Sequence, residues 1–262
     1  MNTVTEHITA LDGMKKYPQK LFYAGNTELL KRVKISIIGS RKPSKYSRMI
    51  TQTLAQRLSK NGVCVVSGGA MGIDATAHSG ASSKNTIAVL PCGIDIKYPS
   101  VNKNLLSEIE KEGLLLSQFD PGFRATPWSF VVRNELVVAL GDVLVVAEAE
   151  LESGSMRSIE IALKMGKKIY VLPQRLGESG ATQHLLQEQK AEAIYDIDEF
   201  IAMFCTHTQD EYIQNNSYED EFLLYCKNSP IYDDVFKKFP NRLFEAELNG
   251  DIIVVNGKVL LK

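Results

Sequence analysis

The 262-residue chain is poor in several features, and each lack removes a class of protein. Its four cysteines, Cys64, Cys92, Cys205 and Cys226, are widely spaced and form no C-x-x-C pair, so neither a disulfide framework nor a metal site is expected. Every apolar run is cut by charge or glycine well short of the roughly 18 residues that a membrane span needs. The N-terminal MNTVTEHITALDGMKK lacks the charged-then-apolar order of a secretory signal, which makes the cytoplasm the expected compartment. A net charge of −1 is not the basic excess of a domain that grips nucleic acid by bulk charge, although it leaves room for a local patch. Neither G-x-G-x-x-G nor G-x-x-x-x-G-K-[ST] occurs, which disfavours a nicotinamide enzyme or P-loop NTPase, and no cofactor is expected. With 44% hydrophobic and 23% charged residues, the composition is that of an ordinary globular chain.

What is present is an alternation. Short apolar runs lie at 34–39, 63–67, 86–91, 114–119, 142–148, 168–173 and 193–196, most of them β-branched and apolar nearly throughout, as strands covered on both faces are. Between them, helical spacing predicts helices near 46–61, 73–80, 103–112, 131–140, 155–165, 182–190 and 197–204. Strand then helix, repeated from residue 34 to 204 after an extension over 1–33, predicts a doubly wound, mostly parallel α/β sheet. Residues 205–218 are polar and aperiodic and read as a linker. Beyond it, 219–262 offers three short helices and two β-branched runs around Asn256-Gly257, a hairpin signal, so a winged-helix-like unit is expected. Residues 205–262 hold 6 basic and 10 acidic residues, whereas 1–204 hold 24 and 21, and within 1–48 the count is 10 to 3. Positive charge therefore gathers around the first strand of the parallel sheet.

Ligands of such sheets sit beyond the carboxyl ends of the strands, so the loops there matter most. In the first, Gly39, Ser40, Arg41 and Lys42 precede a helix start, and glycine, hydroxyl and charge beside a helix N-terminus suit a phosphate. A tight turn with solvated cations fits the same residues. The second, Ser67-Gly68-Gly69-Ala70-Met71-Gly72, can turn backbone amides toward phosphate oxygens. Asp74 and His78 follow four apart; a helix cap above a packed histidine explains them better than an acid–base pair. A third loop, 121–130, interleaves Phe123, Arg124, Trp128 and Phe130 ahead of Arg133 and Asn134, a mixture suited to single strands. Taken singly, Trp128 and Phe130 also read as anchors of the loop. In the fourth, EAELESGS over 148–155, Glu150 and Glu152 are expected to face solvent and Glu148 to bond neighbouring loop groups.

In order, GSRKPSKYS, VVSGGAMGIDATAHSGA, TIAVLPCGIDIKYP, SQFDPGF then FVVRN, and SGS before IALKMGKKIYVLP resemble the DNA-processing protein DprA (Smf) family over about 17–196. LFEAELNGDIIVVNGKVLLK resembles the small winged-helix-like domain that ends many members. The resemblance implies a Rossmann-like domain that binds single-stranded DNA without strong sequence preference, forms a homodimer, and protects incoming strands and loads RecA on them during natural transformation. No catalytic reaction belongs to the family. Carried over, the phosphate pocket comprises Gly39, Ser40 and Arg41, then Ser67, Gly68 and Gly69, with Arg133 and Asn134; Lys42 adds charge and Phe130 is the base contact. Met71 stands where members usually have a basic residue, and Ser158-Ile159 replaces the usual threonine-alanine, with Arg157 just before. The rival reading is a nucleotide-binding or nucleotide-cleaving Rossmann-like enzyme or sensor, but 152–156 lacks the P-G-G-x-G-T loop of such enzymes. The acidic tail, with Glu245 and Glu247 where a recognition helix favours cations, is read as a protein contact rather than a duplex grip.

Overall fold

The structure, a computed structural model, describes residues 2–205, 221–249, 252–255 and 257–261. The chain divides into two compact units, Met1–Cys205 and Thr206–Lys262. The expected linker falls outside the described residues except for Cys205.

The first unit contains β1 (Asn2–Thr3), β2 (Phe22–Gly25), β3 (Lys34–Ile38), β4 (Cys64–Ser67), β5 (Thr86–Leu90), β6 (Leu114–Ser117), β7 (Val143–Val146), β8 (Ile169–Val171) and β9 (Glu192–Ala193). Its helices are α1 (Lys45–Lys60), α2 (Ile73–Ala81), α3 (Lys103–Glu112), α4 (Pro127–Leu140), α5 (Gly154–Lys164), α6 (Gly180–Gln187) and α7 (Ile197–Ala202). The strands form one sheet in the order β1-β2-β6-β5-β4-β3-β7-β8-β9. From β3 to β9 every pairing is parallel. This is the doubly wound, mostly parallel arrangement that the alternation predicts.

Strand burial follows the period of two. Ile35 and Ile37 pack into a core with Val65, Val145 and α1 residues Leu54 and Leu58. Ile38, Cys64, Val66, Ile87, Val89, Leu144 and Val146 face the opposite side, against Leu136, Leu140 and Ile159 of α4 and α5. Both faces are covered, which is why the strand sequences show no polar alternation. None of the four cysteines forms a disulfide, and burial pushes the Cys64 thiol up to about 12.

Two features depart from the sequence pattern. Residues 1–33 supply strands: β2 pairs antiparallel with β6, Phe22 opposite Ser117 and Gly25 opposite Leu114, and β1 adds beyond it. The FYAG segment is too short for periodicity to reveal it. Helix α4 begins at Pro127, not near 131, because Thr126 and Ser129 cap it reciprocally. The Thr126 hydroxyl accepts from the Ser129 N–H at 3.3 Å and the Ser129 hydroxyl from the Thr126 N–H at 2.9 Å. Proline at the first helical position is pre-set for the turn. Trp128 and Phe130 therefore ride on a helix rather than a loop.

The second unit contains α8 (Glu221–Cys226), α9 (Tyr232–Lys238) and α10 (Pro240–Asn249), then β10 (Ile252–Val255) paired antiparallel with β11 (Lys258–Leu261). Phe222, Val235, Leu243, Ala246, Ile252 and Val259 form its core. Gly257 takes a φ of +73°, the left-handed conformation a two-residue hairpin turn demands.

Candidate nucleic-acid interface

Strand order reverses at β3, with β4 to β6 on one side and β7 to β9 on the other. The chain leaves β3 for α1 on one face and β7 for α5 on the other, and the loops part to leave a crevice beyond the strand ends. A cavity of about 510 Å³ fills that crevice. From α4 it takes Pro127, Phe130, Val131, Asn134 and Val137, the spacing of one helical face.

The loop after β3 is fixed by its own backbone. The Ser40 N–H donates to the Glu148 carbonyl at 2.8 Å, and the Ser40 carbonyl accepts from the Ile73 N–H at 3.0 Å. The Ser40 hydroxyl accepts from the Lys42 N–H at 3.1 Å, and the Glu148 carboxylate from the Ser44 N–H at 2.9 Å, as expected for that glutamate. Exposed Arg41 is left over the Phe130 ring, its guanidinium carbon 5.5 Å from the centroid.

Arg133 approaches the same ring at 5.8 Å but from within, being only 5% exposed. Its Nη1 lies 3.7 Å from Asp74 Oδ2, while its Nε has no partner. Burial pushes the Asp74 carboxyl up and the Arg133 guanidinium down, and each charge opposes the other's shift. The guanidinium lies directly over Gly68, where a Cβ would fall 1.1 Å from Arg133 Nη1 and displace it. Below them, His78 Nδ1 is 2.7 Å from the Thr86 hydroxyl, which donates to the Val65 carbonyl; the ring proton thus sits on Nδ1 and Nε2 is an unpartnered acceptor. Burial drives the imidazole pKa down to about 3. Asp74 does not cap α2, whose N-cap is Gly72; it accepts from the Ala70 N–H at 3.3 Å and faces Arg133.

Of the residues singled out from sequence, Gly39, Ser40, Arg41, Gly68, Phe130, Arg133 and Asn134 line the cavity. Lys42 is exposed outside its wall. Ser67 is buried, donating to the Ile37 carbonyl at 2.7 Å and so tying β4 to β3. Gly69 directs its carbonyl to the Asn102 amide at 2.9 Å, away from the cavity. The lining also takes Asp74, then Ser153, Gly154 and Ser155 of the fourth loop, and Arg157, and the buried Ser153 hydroxyl is another group without a partner. The SGS signal was visible in the sequence but hidden among glutamates. Glu150 and Glu152 are exposed as expected, yet they stand on the cavity rim, Glu150 accepting from the Gly180 N–H at 3.2 Å. Arg157 reaches the cavity, while Met71 borders a smaller space of about 40 Å³ shared with Arg41, Tyr98, Phe130 and Arg133.

A parallel sheet that aims buried cationic charge and the start of α5 into its point of reversal is a doubly wound domain with the arrangement in which such folds hold anionic ligands. The family model for DNA recombination-mediator protein A matches residues 4–205, and the chain belongs to that family. DNA processing protein DprA of Streptococcus pneumoniae is 38% identical over 65% of this chain and 62% of its own length. Protein Smf of Borreliella burgdorferi is 30% identical over 87% of this chain and 75% of its own. The alignment with the pneumococcal protein thus spans less than two thirds of that relative. Among solved structures, DNA processing protein A of Helicobacter pylori, described in a single-stranded DNA binding mode, superposes with a TM-score of 0.75 at 43% identity, covering 77% of this chain and 94% of that one. DprA of S. pneumoniae gives 0.70 at 34% identity, covering 77% and 72%. No helix among the described residues is long and apolar enough to cross a membrane.

Proposed function

We propose that this protein is a single-stranded DNA-binding recombination mediator whose strand enters the cavity at the β3–β7 reversal. The observation that carries the reading is the pair of buried, unpartnered polar groups, Arg133 Nε and Ser153 Oγ, on the wall of one cavity. A buried donor left without a partner costs about 1–3 kcal/mol, more when charged, and a phosphate supplies what both lack. Arg41 and Arg157 add charge at the mouth, and the first turn of α5 offers backbone N–H groups. The single-stranded DNA binding of the H. pylori relative supports the same ligand.

The further steps of the reading are a homodimer, which places two such sites on one strand and raises avidity when the strand spans both, and protection of incoming strands followed by their transfer to RecA during natural transformation. The acidic second unit, read as winged-helix-like, serves protein contact in this scheme. The activity is binding, not catalysis.

Fluorescence anisotropy with a labelled oligodeoxythymidylate tests the site. Arg41→Ala is expected to weaken binding about 10- to 150-fold, in line with a charge-assisted contact of about 1.5–3 kcal/mol. Binding as tight as the parent's removes this pocket from the mechanism. Unlabelled duplex and nucleoside monophosphates serve as competitors, and release of free base from the latter favours the nucleotide-cleaving alternative.

A further inference from the structure

Phe130, the expected base contact, is already engaged. Its ring carries the Arg41 and Arg133 guanidinium groups at 5.5 and 5.8 Å and meets the edge of Tyr98 at 5.8 Å. A more open aromatic surface lies two residues earlier, at the start of the same helix. Trp128, the chain's single tryptophan, is 63% exposed. Its ring contact is with Phe119, 5.8 Å away at an interplanar angle of 72°, and Phe119 in turn stacks on Phe123 at 4.7 Å. An edge-on partner steadies an indole without covering both of its faces.

Position ties this ring to the cavity. Pro127, its neighbour in the chain, lines the cavity wall, and the reciprocal cap between Thr126 and Ser129 fixes the backbone on either side. The loop that supplies Phe119 and Phe123 also presents exposed Arg124. An exposed indole one residue along the chain from the cavity wall, preceded by a loop that carries an exposed cation, suits a base and its phosphate.

We propose that Trp128 is an outer stacking platform, holding the base of a nucleotide that lies just outside the cavity while its neighbour occupies the cavity itself. The proposal rests on the single-stranded DNA reading above and deepens it. The platform adds affinity for any strand long enough to leave the cavity, with little sequence preference, because every base presents a π-face.

The test uses the full chain. With labelled dT20, Trp128→Ala is expected to bind about tenfold more weakly than the parent, and Trp128→Phe to recover most of the loss. A thymidine monophosphate competitor, which the cavity alone accommodates, should bind parent and Trp128→Ala alike. In the parent, dT20 should quench the intrinsic fluorescence of this lone tryptophan. Equal dT20 affinities for parent and Trp128→Ala, or an unquenched indole in a parent that binds, overturn the platform and leave the cavity reading intact. A parent that binds no oligonucleotide overturns both. Sedimentation velocity without DNA separates a further outcome: if Trp128→Ala turns a dimer into monomers, the surface joins two copies and the platform is overturned.

Discussion

Strands β3 and β7 end in a cavity at each of their termini, and the two differ in how their charges are satisfied. Beyond the carboxyl ends lies the 510 Å³ cavity with Arg41, Arg133 and Arg157. Before the amino ends lies a groove of about 570 Å³ that includes Lys31, Lys34 and Asp142. By volume the amino-end groove is the larger. Its cations, however, are consumed within the protein: the Lys34 ammonium donates to the Leu30 and Arg32 carbonyls at 3.0 and 2.7 Å, and Lys31 pairs with Glu28 at 2.9 Å. Asp142 accepts from the Lys34 N–H at 2.8 Å. At the carboxyl end Arg133 meets Asp74 at 3.7 Å and the Phe130 ring at 5.8 Å, and its Nε is orphaned. A ligand site is marked less by space than by buried polarity that the fold itself leaves unmatched.

Three substitutions would break or sharpen this contrast. Arg133→Ala has the largest expected effect, a loss of about 2–5 kcal/mol in oligonucleotide binding by anisotropy, the range for truncating one partner of a buried charge pair. Asp74, left buried without its cation, should also lower the unfolding temperature. Lys34→Met is expected to cost about 1–3 kcal/mol of stability in urea denaturation, since two carbonyls lose their donor, while DNA affinity stays at the parent's value. Weakened binding in that variant would erase the distinction between the two ends.

The last substitution concerns pH. His78 has an ordinary pKa of 6.5 and a folded value of about 3, so below 6.5 the unfolded chain takes a proton that the folded chain refuses until about 3. Its contribution is intact above 6.5 and is lost as pH falls through that window, by about 1.4 kcal/mol per unit. His78→Leu should reduce the slope of stability against pH there, as read by denaturant unfolding at stepped pH. An unchanged slope would show that the imidazole is not held neutral beneath the cavity.

Much of the fold was legible because a strand covered on both faces must be apolar throughout, and KISIIG, TIAVLP and DVLVVAE announce this without any context. FYAG announced nothing: its strand exists because β6 offers an unpaired edge, a fact of assembly rather than of local preference. The start of α4 was misplaced for a similar reason, since T-P-W-S caps with a serine where glutamate or glutamine is the usual signal. At the site, Gly39, Arg41, Gly68 and Arg133 could be named from their loops and from the family resemblance. Lys42, Ser67 and Gly69 sat in the same motifs, yet lie outside the cavity wall.

The sequence by itself determined the order of strands and helices, the basic start and acidic tail, and the loops in which glycine and cations gather, because these are properties of short stretches of chain. Only the tertiary structure decided which cation is buried and which is exposed. Arg41 and Arg133 are the same residue near the same ring, yet one lies on a loop in water and the other on α4, buried against Asp74. Burial and unmatched hydrogen-bonding capacity arise from where distant segments meet, and it is there, between residues 41, 68, 74, 133 and 153, that the cavity acquires its chemistry.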